Sequence, residues 1–430
     1  MPPRLRAAVA AYPRPFWMLV VGTFVNRTGL VVLPFLALYL SGPRAFSVAQ
    51  ATAAVSLYGA GAFAGGFVGG WLSDRVGRRP VLLASLGGAS LPMAAIPFAP
   101  SFAAVGGLVA AFGLLSEMYR PAVSAAVADL VPEAGRPRAY AIVYWAINLG
   151  AAVGPALGGL LAERSYLGLF VLEGATLFAY AVIVLVSVPE TRPPTADGAE
   201  RPRIDLGPVA RDGALAALAL AVLLTGIGFY QLFTTLPLAM EADGLSERYF
   251  GFVITVNGAL IVLVGLPVAA WVGDRATGWP VPTAVALVAL GLALQIPAHS
   301  FGAYAACAVV WTLGEMAFLP VVPTLVARMA PDDLRGSYQG VYHASWGLAK
   351  MIGPALGGLV FAGLGSAALW GGAAGLVAVA AVLVALLLPT LRRRFASPSH
   401  PPAVALGTST PSTTPTGSGS TSREGRRRTA

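Results

Sequence analysis

The chain has 430 residues, of which 57% are apolar and only 11% charged, against about 25% charged in an ordinary soluble protein. Such a surface needs lipid as its solvent, which excludes a soluble enzyme. The arginines behind the net charge of +9 do not cluster on a soluble face, so nucleic acid is excluded as a partner too.

Taken in chain order, residues 1–15 form a short basic N-terminal segment. A membrane-spanning helix needs about 20 predominantly apolar residues. Twelve such runs follow. Six lie in a first half, 16–188, at 16–40, 48–73, 80–99, 102–130, 138–163 and 165–188. A polar, proline-rich linker occupies 189–212. Six more lie in a second half, 213–389, at 213–239, 248–273, 281–299, 301–329, 335–363 and 365–388. The remainder, 390–430, is rich in Ser, Thr, Pro and Gly and reads as a disordered cytoplasmic tail. The first run is too long for a cleaved signal peptide and carries Arg27, so it reads as a retained span. Placing the N-terminus in the cytoplasm puts 22 arginines on the inside and 3 on the outside. The positive-inside rule therefore predicts a multi-pass protein of the cell membrane with both termini cytoplasmic.

The chain repeats itself. Gly69 to Pro80, reading GGWLSDRVGRRP, returns as AAWVGDRATGWP at 269–280, with Trp71, Asp74, Arg75 and Pro80 matched at an offset of 200. Gly154-Pro-Ala-Leu-Gly-Gly-Leu160 returns as Gly353-Pro-Ala-Leu-Gly-Gly-Leu359, an offset of 199. Six spans per half place both halves in the same orientation, a parallel repeat about an axis along the membrane normal.

Charges inside spans are costly, about 2.5–3.5 kcal/mol each on insertion scales, and mark a cavity or a partner. Arg27, Glu117, Arg120, Glu315 and Lys350 fall near mid-bilayer. Glu117 and Arg120 stand i, i+3 and can pair on one helix. Glu315 has no cation within four residues. Partly removed from water, it is suited to carry a proton, or else it pairs with Arg27 or Lys350. Glu173 lies nearer the outside and reads as structural. His343, Trp346, Gly347 and Lys350 share one helical face, and His343 can titrate near neutral pH. Asn26, Tyr144, Asn148, Tyr230, Gln231, Thr234, Thr235 and Asn257 offer polar groups to a cavity, while Trp145, Trp311 and Trp346 offer faces for stacking. Cys307 stands alone, so neither a disulfide nor a thiolate metal cluster is expected. Lys350, the only lysine, is followed by Met351, so no phosphate loop GxxxxGK[ST] is present.

The stretch Gly61, Gly70, Asp74-Arg75-x-Gly77-Arg78 resembles the signature of the major facilitator superfamily between its second and third spans. Gly150-Ala-Ala-Val-Gly154-Pro155-Ala-Leu-Gly158-Gly159 resembles the fifth-span motif of the superfamily's antiporters. Segment 311–340, with TLGEM and GSYQG, is similar to proton-coupled multidrug antiporters. The resemblance covers residues 10–389. It implies an all-α membrane protein with twelve transmembrane helices in two pseudo-symmetric six-helix bundles, a transporter and not an enzyme. It implies a cytoplasmic latch of Gly70, Asp74, Arg75, Gly77, Arg78 and Asp129. In it Arg78 pairs with Asp129, Asp74 approaches the start of the eleventh span, and together they hold the cytoplasmic side shut. Gly150, Gly154, Pro155, Gly158, Gly159, Gly353, Pro354, Gly357 and Gly358 would form close helix contacts. An acid often found two residues before the fifth-span Trp in such antiporters is Val143 here.

The leading expectation is proton-coupled efflux of hydrophobic drug-like compounds by alternating access, as a monomer in the lipid bilayer. Glu315 and Glu117 would couple protons, and the proton gradient would supply energy with no cofactor or metal. Proton-coupled uptake of an anionic metabolite, contacted by Arg27, Arg120 and Lys350, is an alternative. A non-transporting membrane sensor is a third.

Overall fold

The computed structural model describes residues 12–192, 207–273, 278–331 and 334–396. Among the described residues the regular elements are helical. They are α1 (Arg14–Thr28), α2 (Val32–Ser41), α3 (Val48–Val76), α4 (Arg78–Ala95), α5 (Phe102–Leu130), α6 (Arg136–Ala162) and α7 (Tyr166–Ser187) in the first half. The second half holds α8 (Gly207–Arg211), α9 (Gly213–Thr234), α10 (Leu236–Ala242), α11 (Glu247–Gly273), α12 (Pro280–Ala293), α13 (Phe301–Phe318), α14 (Val321–Met329) and α15 (Arg335–Ala396).

Helix starts follow local chemistry. Ser47 and Gln50 form a reciprocal capping box at α3. Ser101 caps α5 and Ser300, 199 residues later, caps α13. Asp212 caps α9, its Oδ1 accepting from the amides of Ala214 and Leu215 at 3.1 Å. Gly77 separates α3 from α4 at φ +117°, a conformation that only glycine adopts without strain.

Among the described residues, ten helical stretches are long and apolar enough to cross a membrane. They differ from the twelve expected spans in two places. The last two spans run together as α15, broken at Gly365 with φ 85° and ψ 178°. The ninth span, expected over 281–299, is the 14-residue α12. Three expected single helices are interrupted: the first between Thr28 and Val32, the seventh at Thr235, the tenth at Leu319 and Pro320. The tail boundary also moves. Helix continues to Ala396 rather than stopping before 390, because Arg394 reaches back to Asp212 at 2.7 Å and to the Met329 carbonyl. Residues 397–430 lie outside the described residues.

Packing repeats with the sequence. A methyl group at Gly150, Gly154 or Gly158 would press on residues 27–35 of the first span, and one at Gly159 on Glu247, Arg248 and Gly251 of α11. Their counterparts Gly353 and Gly357 face Ile227 and Gln231 of α9, and Gly358 faces Thr52 of α3. Each motif thus packs one helix of its own half and one of the other. Between lipid-embedded helices, where no water drives association, such close backbone contact is a main source of cohesion.

Candidate functional site

Between the halves lies a cavity of about 320 Å³. Its walls come from α1, α2, α3, α6, α9, α11, α13 and α15. Most are apolar, such as Leu33, Val55, Ile147, Phe233, Ile254 and Ile261. Against them stand Arg27, Tyr58, Asn148, Tyr230, Thr234, Asn257, Glu315 and Lys350. An apolar chamber with few, convergent polar groups is the usual form of a small-molecule site.

The charged groups are arranged unequally. Glu117 is engaged by Arg120 Nε at 2.8 Å, by Lys350 Nζ at 3.2 Å and by the Tyr58 hydroxyl at 3.2 Å. Lys350 also lies 4.4 Å from the centre of the Tyr58 ring. The Glu117–Lys350 pair joins α5 of the first half to α15 of the second. Arg27 donates to the Tyr119 hydroxyl and lies over its ring. Glu315 accepts from Asn257 Nδ2 at 2.6 Å, and Asn257 also donates to Thr312 at 2.9 Å. Neither Arg27 nor Lys350 pairs with Glu315 among the described residues, so the alternative of a structural ion pair does not hold.

Other expected residues lie elsewhere. Gln231 is 2% exposed and donates to the carbonyls of Ile227 and Gly353, a helix-packing role. Trp311 is fully packed against Gly291 and does not reach the chamber. Asn26 and Glu117 line a smaller space beside it. Trp346 packs on Phe229 and Tyr230 at the chamber edge. Trp145 is 58% exposed. Tyr144 shares its face of α6 with Asn148 and Ala151, one turn nearer the end that holds Asp74, and is 53% exposed. His343 shares its face of α15 with Lys350, two turns nearer that same end, and is exposed. Arg120, also displaced toward that end, has a side chain 53% exposed. The chamber therefore opens toward the end holding Asp74, the latch end.

The opposite end is closed by contacts between halves. Arg248 Nε meets Glu163 at 3.3 Å, Ser246 donates to Glu163, and the Tyr166 hydroxyl donates to Glu247 at 2.7 Å. Phe35 and Phe250 stack edge to face at 5.3 Å.

At the latch end, Arg78 Nε bonds Asp129 at 2.9 Å, the expected pair, and Arg78 Nη1 lies 3.6 Å from Asp74. Asp74 itself is 54% exposed. Arg75 lies over the Trp71 ring, and a methyl at Gly70 would lie 3.9 Å from the Pro121 Cβ, an ordinary contact. Sequence reading missed Glu190. Its carboxylate accepts the amides of Arg78 at 2.9 Å and Arg79 at 3.1 Å, capping the start of α4. Burial acts to raise this carboxyl, but the amides of Arg192, Arg78, Arg79 and Thr191 outweigh it and hold Glu190 below the usual range. Residues 274–277 of the second copy lie outside the described residues, as do 332–333 ahead of α15.

A membrane-embedded bundle whose two repeated halves enclose a chamber open at one end has the architecture of a secondary transporter. Comparison with known proteins gives the family. The Major Facilitator Superfamily model matches residues 19–279 and again 218–416, and the chain belongs to that superfamily. It is similar to the uncharacterized MFS-type transporter YttB of Bacillus subtilis (strain 168), with 29% identity over 81% of this chain and 88% of that protein. It is also similar to the class C tetracycline resistance protein of Escherichia coli, with 29% identity over 75% and 82% of the two chains. Among solved structures, a peptide transporter POT with sulfate aligns at TM-score 0.72 and 20% identity, covering 90% of this chain and 98% of the other. The chain is a multi-pass membrane transporter of small molecules, not an enzyme.

Proposed function

We propose that this transporter exports hydrophobic, drug-like compounds from the cytoplasm in exchange for protons. The observation that carries this reading is the position of Glu315. It is the chamber's carboxylate with no cation against it among the described residues, bonded instead to the neutral amide of Asn257 in a largely apolar wall. A proton and a substrate can compete for such a group, and competition at one site is what an exchanger requires. Glu117, clamped between Arg120 and Lys350, responds instead as part of an ion-pair cluster. The similarity to a tetracycline resistance protein supports a drug-like substrate, and that to a Na(+), Li(+), K(+)/H(+) antiporter of Planococcus maritimus, at 24% identity, supports exchange against protons. With the arginine-rich latch end taken as cytoplasmic, a chamber open at that end corresponds to an inward-facing state.

Uptake of an anionic metabolite is less well supported. The Lys350 charge is already taken up by Glu117, and Arg27 is held by Tyr119.

The test is transport of tetracycline and of ethidium in proteoliposomes with an imposed pH gradient. Wild-type protein is expected to move at least one of them against its gradient, and Glu315→Gln to lose the dependence on pH. Wild-type rates and pH dependence in Glu315→Gln would remove Glu315 from the mechanism.

A further inference from the structure

A second group of buried polar side chains lies beside the chamber, within the first half. The first span is interrupted between Thr28 and Val32. There Glu173 Oε2, from α7, accepts the amides of Val31 at 3.1 Å and Val32 at 2.7 Å. A helix start leaves such amides unpaired and carries partial positive charge, so the carboxylate acts as the missing cap of α2.

The other Glu173 oxygen, Oε1, is buried without a partner, and so is Nε of Arg27. Glu173 is 1% exposed and Arg27 8%. Both line a small cavity with room for about 10 Å³ of water centres, which is space for one water molecule. An unmet acceptor and an unmet donor on two residues that line one water-sized space fit a single bridging water. Arg27 and Tyr58 line the main chamber as well, so the two spaces adjoin.

We propose that Glu173 is a second proton-carrying residue of the transport cycle, linked to Arg27 through this water, and that its protonation state sets the bend of the first span. The proposal rests on the alternating-access reading of the chamber but not on Glu315. A proton arriving from bulk water through the chamber binds Oε1, the oxygen not committed to α2, and departs by the same path. While ionised, Glu173 holds the amides of Val31 and Val32 by charge-assisted bonds. Once neutral it holds them less strongly, and residues 29–31 are free to straighten. Leu30, within the bend, and Leu33 and Pro34, just past it, form chamber wall, so a change in the bend changes the site.

The groups facing Glu173 come from several helices. The first span contributes Arg27. α3 contributes Tyr58, and α5 contributes Glu117 and Tyr119. Its own helix carries Tyr180, which bonds Thr23 and the Leu19 carbonyl. α4 presents Ser90 and Met93 to α7 near Gly174, neither of them charged.

Two measurements on the full chain in liposomes test this. One is the infrared difference spectrum between alkaline and acidic buffer, read at the carbonyl band of protonated carboxylic acids. The other is the distance between spin labels at Val21→Cys and Ser41→Cys, flanking the bend, in a Cys307→Ala background. The wild type is expected to gain a carboxylic-acid band in acid and to change its label distance. Glu173→Gln, which keeps an acceptor oxygen but cannot ionise, should lose the Glu173 component of that band, leaving the Glu315 component, and should hold the acidic-buffer distance throughout. Glu173→Asp should keep a titrating band, which covers the case in which the Gln variant does not fold. Glu315→Gln should keep both the Glu173 band and the distance change. A Glu173→Gln spectrum and distance profile identical to wild type, or a wild-type distance that ignores pH, would overturn the proposal. Unaltered transport by Glu315→Gln would remove Glu315 from the mechanism and leave this proposal standing, because the Glu173 component of the band and the label distance do not depend on residue 315.

Discussion

At the scale of single residues, the Glu117–Lys350 pair decides how the halves meet. Both side chains are largely buried, 14% and 18% exposed. Removing one partner of such a pair strands the other charge, which costs on the order of 3 kcal/mol. Arg120 is half in water, so its own pairing with Glu117 adds little. Glu117→Gln should therefore lower the thermal midpoint in detergent, and Glu117→Gln with Lys350→Met should recover part of the loss. A double-mutant cycle measures the coupling, and additive effects would show that the pair does not hold the halves. Glu190 supplies a second prediction, from outside the membrane. Its carboxyl is held below the usual range when folded, so its contribution is present above the unfolded carboxylate range and is lost as pH falls through the folded value. Wild-type protein should lose stability in acid across that window, and Glu190→Gln should show a smaller acid-induced drop in midpoint. Glu315 and Glu117 were legible in the sequence, because a charge inside an apolar run stands out. Glu190 was not, since its partners Arg78 and Arg79 lie over a hundred residues away and only the folded chain brings them to it.

Among the elements, the glycine motifs were easier to read than the helices they belong to. Their spacing marked close contact, and the structure shows with what: Gly159 against α11, Gly358 against α3. The breaks in the first, seventh and tenth spans were not legible. Apolar runs continue through them, and the interruption at residues 29–31 is stabilised by Glu173 from a distant helix. The position of a residue along a span predicted its depth, but not which way it faced. For this reason Trp311 and Gln231, sound candidates by depth, turned out to be packing groups. The packing yields a direct test. A methyl at Gly159 would lie 2.9 Å from the Arg248 Cα and from the Glu247 carbonyl, both backbone atoms that cannot swing aside. Overpacking of this kind costs about 1–3 kcal/mol, here against closure of the far end. Gly159→Val should slow transport in proteoliposomes while leaving expression intact. Gly363→Ala, with nothing within 4 Å, should transport normally. Equal behaviour of the two would mean that the far end does not close through this contact.

For the molecule as a whole, the duplicated chain is symmetric in its packing and asymmetric in its latch. The chamber is open at the latch end, and there Asp74 is more than half exposed while Arg78 is pinned between Asp129 and Asp74. An acid left exposed in the open state is available to a partner when that end shuts. A helix start is such a partner, because its unpaired amides and dipole favour a carboxylate. Arg78, four residues on, keeps Asp74 oriented in the meantime. The second copy has Thr277 and Gly278 where the first has Gly77 and Arg78, so Asp274 has no such arginine to orient it. The two aspartates are thus equivalent by descent but not by chemistry. Asp74→Asn should reduce transport about tenfold, corresponding to about 1.4 kcal/mol of lost bias toward the shut latch end. Asp274→Asn removes a charge that has no arginine four residues on, and its effect should stay within about threefold. Both variants are to be measured in proteoliposomes under one pH gradient, at matched protein density. Equal losses would mean that closure draws on both copies, and that the divergence at 277–278 carries no mechanical weight.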